Sequence, residues 1–188
     1  NETGIGIIMN KRYCRVFSAI LAFVLVLSCL LPATTFAQEN SDGVEVLVDY
    51  IEGDEAWEVY NSYVMAATSR LARASTVDLS NGADNMSVGE LSMDQKFTTP
   101  TYSITKTKIT VSLLSGGINS NSIRVTLYNS SGVMIGTKNV SIPSFSSASM
   151  KGATVTFTNL SSSVKYYIVI QNLDTATSGS IIATVKQG

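Results

Sequence analysis

Ile123-Arg124-Val125-Thr126-Leu127-Tyr128-Asn129-Ser130-Ser131-Gly132 decides the fold class. Ile123, Val125 and Leu127 fall on one side of an extended chain, and Arg124, Thr126 and Tyr128 on the other, because successive side chains of a strand point to opposite faces. Asn129 to Gly132 then supplies turn residues, and Val133 to Ile142 reads as the returning strand of a hairpin. Working outward, the same alternation predicts strands at Tyr102–Ile104, Lys108–Leu114, Thr154–Thr158, Val164–Gln171 and Ser180–Val185. They are punctuated at residues 115–117, 159–163 and 175–179. Residues 95–188 contain 31 Ser plus Thr. Alternation with β-branched and aromatic residues assigns those hydroxyls to the solvent face of a sheet rather than to a disordered stalk. Short strands at this spacing predict a mainly β fold, an antiparallel β-sandwich of about seven or eight strands, Ig-like or jelly-roll-like, over residues 76–188.

Residues 38–75 obey a different grammar. Eight acidic and no basic residues lie between Glu39 and Glu58. Val44, Val46, Val48 and Tyr50 alternate with Glu45, Leu47 and Asp49, which reads as a short strand or a helical turn. An amphipathic helix follows, with Asp54 as N-cap, Glu55 and Glu58 in its first turns, and Arg70 and Arg73 in its last. Trp57, Tyr60, Val64, Ala67 and Leu71 recur at spacings of three and four and form one apolar stripe. That stripe is expected to pack on the sandwich, with a partner-binding helix as the alternative.

The N-terminus carries a targeting signal. Lys11, Arg12 and Arg15 precede an apolar run from Val16 to Leu31, and Thr35-Phe36-Ala37 ends it with small residues at the first and third positions. This is the order of a Sec-type signal peptide over residues 9–37, cleaved after Ala37, and it predicts a secreted bacterial protein without a stable membrane span. Residues 1–8 precede the first Met and are set aside as a non-native leader. Cys29 follows Val26-Leu27-Ser28, a loose lipoprotein box, so lipidation there stays open as the lesser alternative. Cleavage removes both Cys14 and Cys29 and leaves 151 residues without thiols or disulfides.

Val125-Thr126-Leu127-Tyr128-Asn129-Ser130-Ser131-Gly132 resembles the strand, Leu-Tyr, turn and Gly stretch of bacterial pre-peptidase C-terminal domains. Lys165-Tyr166-Tyr167-Ile168-Val169-Ile170, with Gly179 and the strand Ile181 to Val185, resembles their closing strands. The likeness spans about residues 108–186. It implies a small secreted β-sandwich with an accessory or targeting role, although no peptidase domain precedes it here.

The residue inventory narrows the chemistry. The chain has no His, which removes His-based triads and imidazole metal sites. After Asp94 the single acidic residue is Asp174, so the sandwich by itself supplies no glycosidase carboxylate pair. One could arise only if the acidic segment folded over the sheet. Ser103-Ile104-Thr105-Lys106 matches a Ser-Lys spacing, but its ends fall on opposite faces of a strand. Asp78, Asn81 and Asp84 are the candidate ligands for a calcium ion, against the plainer reading of a solvated turn at Asn81-Gly82. Tyr128 beside Arg124, and Tyr167 beside Lys165, are the candidate ligand-binding residues, because a sugar ring stacks on an exposed aromatic. Scattered lysines argue against nucleic acid.

These readings lead to a non-catalytic extracellular interaction module for a cell-envelope glycan or protein. The alternatives are a secreted effector or toxin-like protein that uses the Trp57 helix on a membrane or partner, and a hydrolase accessory domain. No cofactor is expected beyond the calcium alternative. Residues 38–94 carry 12 acidic and 2 basic residues, and residues 95–188 carry 8 basic and 1 acidic. The expectation is therefore that the acidic segment lies against the basic sandwich, held by the Trp57 stripe and oriented by charge.

Overall fold

The computed structural model describes residues 43–68, 75–116, 120–143 and 150–188; the expected signal peptide, Leu71 and the two arginines at 70 and 73 lie outside them. Strands β1 (Val46–Glu52), β3 (Asp84–Gly89), β6 (Ile109–Ser115), β9 (Lys151–Phe157) and β11 (Ile181–Gln187) form sheet A in the order β1-β9-β6-β11-β3, every neighbouring pair antiparallel. Strands β2 (Thr76–Asp78), β5 (Thr101–Ser103), β10 (Tyr166–Asn172), β7 (Asn121–Asn129) and β8 (Met134–Ile142) form sheet B in that order. The short β4 (Lys96–Thr98) pairs with β10 beyond the end of β5. Among the described residues one α-helix, α1 (Asp54–Thr68), completes the fold.

The sandwich follows from the period-two pattern. In β10 the burial of Tyr166, Ile168, Ile170 and Asn172 alternates with half-exposed Tyr167, Val169 and Gln171. Val125 and Leu127 of β7, Val111 and Leu113 of β6, and Val155 and Phe157 of β9 belong with them to one continuous core, all fully buried. The 123–142 hairpin forms as the sequence predicts. Asn129 holds it, because its side-chain oxygen accepts from the amides of Ser131 and Val133 at 3.0 and 2.9 Å. Gly132 takes φ +83°, a conformation that costs glycine little. At the start of β10 the Tyr166 hydroxyl accepts from the Ser161 amide and donates to the Ser161 carbonyl, at 3.0 and 3.1 Å. A tyrosine bonded a few residues upstream in this way is the corner device of Greek-key sandwiches. Burial holds this phenol above its usual pKa.

Among the described residues, ten strands lie within residues 76–188, where the sequence predicts seven or eight, and β1 adds an eleventh. The additional β2 and β4 are three residues each, too short to show a period. β3 was hidden because it opens on Asp84-Asn85, which read as turn residues; its buried Met86 and Val88 acquire meaning from pairing with β11. The acidic strand near residue 46 is a full member of sheet A, paired with β9 from Val46↔Phe157 to Glu52↔Lys151.

Helix α1 lies across the outer face of sheet A, in contact with β1, β6, β11 and β3. Gly53, rather than Asp54, supplies the first helical carbonyl, accepting from the Trp57 amide at 3.0 Å, and its own amide donates to the Met150 carbonyl. Ala56 is fully buried and, with Val59, covers Ile51, Leu114, Met150 and Ile182. Beneath this contact Gly152 has no room for a side chain. A Cβ there would fall 2.4 Å from Leu114 Cδ2 and 2.5 Å from the Leu113 carbonyl oxygen. Gly152→Ala is therefore expected to cost about 1–3 kcal/mol through overpacking. Urea titration should show a lowered midpoint, with Trp57 fluorescence changing at lower urea than in the parent; an unchanged midpoint would contradict the close approach.

Candidate functional site

The outer face of sheet B carries the predicted binding residues in successive rows. Tyr167 of β10 and Tyr128 of β7 are direct cross-strand partners, as are Val169 and Thr126, and Gln171 and Arg124. The two tyrosine rings stack with centroids 5.2 Å apart and planes inclined by 10°. They form one aromatic element, both rings half-buried. Arg124 lies about 13 Å along the strand from Tyr128, four residues at the strand rise. Its Nε donates to Asn139 Oδ1 on β8 at 3.1 Å, which tethers the guanidinium to the neighbouring strand. Gln171 Nε2 donates to Asp94 Oδ1 at 3.2 Å. Thr126 and Thr137 share a hydroxyl contact of 2.8 Å between these two rows. Lys165 is exposed one row past Tyr167, and its carbonyl accepts from the Ser130 amide at 2.8 Å. Cross-strand bonds thus hold the polar residues of this face in place before any ligand arrives.

The predicted helix stripe departs from expectation. Trp57, Tyr60 and Val64 stay exposed at 46%, 38% and 40%, and Tyr60 borders the sheet only through a recess it shares with Leu114 and Ile182. The Trp57 and Tyr60 rings meet edge to face, 5.7 Å apart. Ala67 belongs to the same helix, and Leu71 lies outside the described residues. The docked stripe is the neighbouring one, Ala56-x-x-Val59-x-x-x-Tyr63-x-x-Ala66, rotated by one residue. Its spacing is just as regular. Larger side chains make the Trp57 stripe the more conspicuous in sequence, whereas close approach to a sheet favours the smaller ones, since Ala56 lets the helix backbone settle onto Leu114 and Ile182.

The candidate calcium residues are spread over separate tasks. Asp78 caps the short 3-10 turn at Leu79–Asn81, accepting from the Ser80 amide at 2.9 Å. Asp84 accepts from the Tyr102 hydroxyl at 2.9 Å. Asn81 ends the turn that Asp78 begins. Among the described residues, no group of three or more acidic, His or Cys side chains is gathered closely enough to hold a metal ion.

Two recesses flank α1, and the sequence reading anticipated neither. One, of about 240 Å³, is lined mainly by Tyr60, Leu114, Met150 and Ile182. The other, of about 480 Å³, brings Asp49, Glu55 and Glu58 over Thr110, Ser112, Thr154 and Lys186. The acidic segment does fold over sheet A. Its carboxylates therefore share a cleft with sandwich residues that carry no acid of their own. The signal for this was the outward polar positions of β6 and β9, but only strand register joins them to Asp49.

Compared with known proteins, the chain matches no family model and no curated protein. Among the described residues, no helix is long and apolar enough to cross a membrane.

The Asp78 cap yields a test. Its carboxyl titrates below the usual 3.8, chiefly because the Ser80 amide donates to it, with the Ser80 and Ser103 hydroxyls adding to the effect against a small opposing contribution from burial. A depressed folded-state pKa means the carboxylate contributes stability above the unfolded-state pKa and loses it as pH falls through the lower folded value. The advantage of the parent over Asp78→Ala in urea midpoint should therefore be constant from pH 7 to about 5 and shrink below about pH 4. An advantage that stays constant down to pH 2 would refute the cap.

Proposed function

We propose that the protein is a secreted, non-catalytic interaction module that binds a carbohydrate of the cell envelope on the outer face of sheet B. The observation that carries this reading is the Tyr128–Tyr167 stack with Arg124 and Lys165 on the same face. The outer faces and edges of the stacked pair offer the C–H groups of a sugar an apolar support, and Arg124, Gln171 and Lys165 offer hydrogen-bond donors to its hydroxyls. The ordering of Arg124 by Asn139 lowers the entropy lost on binding. A chain without His, and with a signal-like N-terminus, agrees with a binding rather than a hydrolytic role outside the cell. The likeness to pre-peptidase C-terminal domains implies an accessory role of the same kind.

The test is binding to a panel of cell-wall polysaccharides and soluble glycans. Tyr128→Ala with Tyr167→Ala is expected to weaken binding at least tenfold, a loss of about 1.4 kcal/mol or more. Both residues lie on the solvent side of the sheet, so folding should persist, and circular dichroism checks it. Undiminished binding by the folded double variant would sink the reading.

One observation favours the second reading, in which α1 engages a lipid surface. Trp57, Tyr60, Val64 and Met65 form an exposed apolar face, Met65 at 73%. Asp54, Glu55 and Glu58 on the same helix would be repelled by anionic headgroups, so zwitterionic vesicles are the appropriate probe. Insertion should shift Trp57 emission to the blue, and Trp57 is the chain's single tryptophan. Emission that ignores phosphatidylcholine vesicles would rule it out.

A further inference from the structure

The polar cleft between α1 and sheet A lies on the opposite sheet from the tyrosine pair, and its chemistry is different. Its floor is a row of side chains set by register. Asp49 on β1 faces Thr154 on β9, Thr154 faces Ser112 on β6, and Ser112 faces Thr184 on β11. In this row Thr184 donates to Asn85 Oδ1 at 2.6 Å, and Thr154 donates to the Asp49 carbonyl oxygen at 3.4 Å. In the next row Thr110 and Thr156 share a contact of 3.2 Å. Ser112 differs from these neighbours. Its residue is 4% exposed and lines the cleft, yet its hydroxyl has no hydrogen-bond partner among the described residues. A hydroxyl that opens onto the cleft and bonds no protein group is free to donate to and accept from a ligand.

The charges are arranged the same way. Glu55 and Glu58 stand on the flank of α1, Asp49 on β1 and Lys186 on β11, all lining one space of about 480 Å³. That volume falls within the about 300–1,000 Å³ of small-molecule sites. Among the described residues Lys186 makes no ion pair with any of the three carboxylates; the ion pair of this region is Glu52 with Lys151 at 3.3 Å, outside the cleft lining. Opposite charges around one cavity that do not meet leave room for a molecule that meets both.

The donor and acceptor inventory defines that molecule. Carboxylates only accept hydrogen bonds and an ammonium only donates, while a serine hydroxyl does both. A ligand must bring donors to Asp49, Glu55 and Glu58 and an acceptor to Lys186. With three negative charges and one positive, it should also be cationic. A polyamine supplies donors but repels Lys186, and a neutral glucan supplies both bond types but leaves the charge unbalanced. A hydroxyl-rich frame with protonated amines supplies everything.

We infer that this cleft binds a short oligosaccharide of amino sugars with free amines. The site is independent of the tyrosine face, so either reading can fail without the other. The experiment is isothermal titration of the protein with glucosamine tetramer, against N-acetylglucosamine tetramer, cellotetraose and spermine as probes. Saturable binding of the free-amine tetramer is expected, at least tenfold tighter than each of the other three and weakening as salt rises. Glu55→Gln with Glu58→Gln should lose at least tenfold and Ser112→Ala a few-fold, whereas Tyr128→Ala with Tyr167→Ala should bind as the parent does. Both glutamates are exposed, so their substitution leaves the core intact. Absence of saturable binding by the tetramer overturns the inference, and so does spermine binding equally well. Full binding by the glutamine variant, or loss of binding confined to the tyrosine variant, overturns it too.

Discussion

The surfaces around sheet A depend on how the apolar end of that sheet is kept from water. Ile51, Leu114 and Ile182 project from the outer face of the sheet, on the side away from the sandwich core, and α1 covers them with Ala56 and Val59. Gly152 makes the contact feasible, since a side chain there would collide with Leu114 and with the backbone at Leu113. The consequence for β6 is burial on both faces near its end, so Leu113 and Leu114 are buried in succession against two different clusters. A helix anchored by so small a residue as Ala56 sits close to the sheet and turns its bulkier stripe outward. The exposure of Trp57 and Tyr60 is a by-product of which stripe fits.

The same docking event creates the chemistry around it. Sheet A's outer face is apolar under the helix and rich in hydroxyls beyond it, from Thr154 and Ser112 to Thr110. Laying an acidic helix along that boundary sets carboxylates over hydroxyls that the sandwich sequence carries without any acid nearby. Sheet B, whose outer face carries no helix among the described residues, instead keeps an array in which Arg124–Asn139 and Thr126–Thr137 are already bonded across strands. One sandwich thus offers two surfaces of opposite kind, one aromatic with basic residues, the other recessed and acidic.

Much of the sandwich was legible because period-two patterns are local. Ile123 to Tyr128 and Tyr166 to Asn172 announce their inward and outward faces without reference to any partner, and the predicted Tyr128, Arg124, Tyr167 and Lys165 do come to one face. β3 was less legible, since two buried residues behind an Asp-Asn start carry little pattern. The helix was legible in position and its docked stripe was not, because Trp57-Tyr60-Val64 and Ala56-Val59-Tyr63 have the same period. Periodicity gives a helix its apolar stripes; the volume available on the sheet chooses between them.

By itself the sequence determined the fold class, the hairpin at Asn129 to Gly132, the helix after Gly53, and the opposite charge of its two halves, because each is written in neighbouring residues. Tertiary structure alone decided which helix face docks, that β1 joins sheet A as a full strand, and that Asp49, Glu55 and Glu58 share a cleft with Ser112 and Lys186. Those residues are separated by as many as 137 positions, from Asp49 to Lys186. No local pattern encodes a meeting of that kind; strand register and the packing of one alanine against a sheet do.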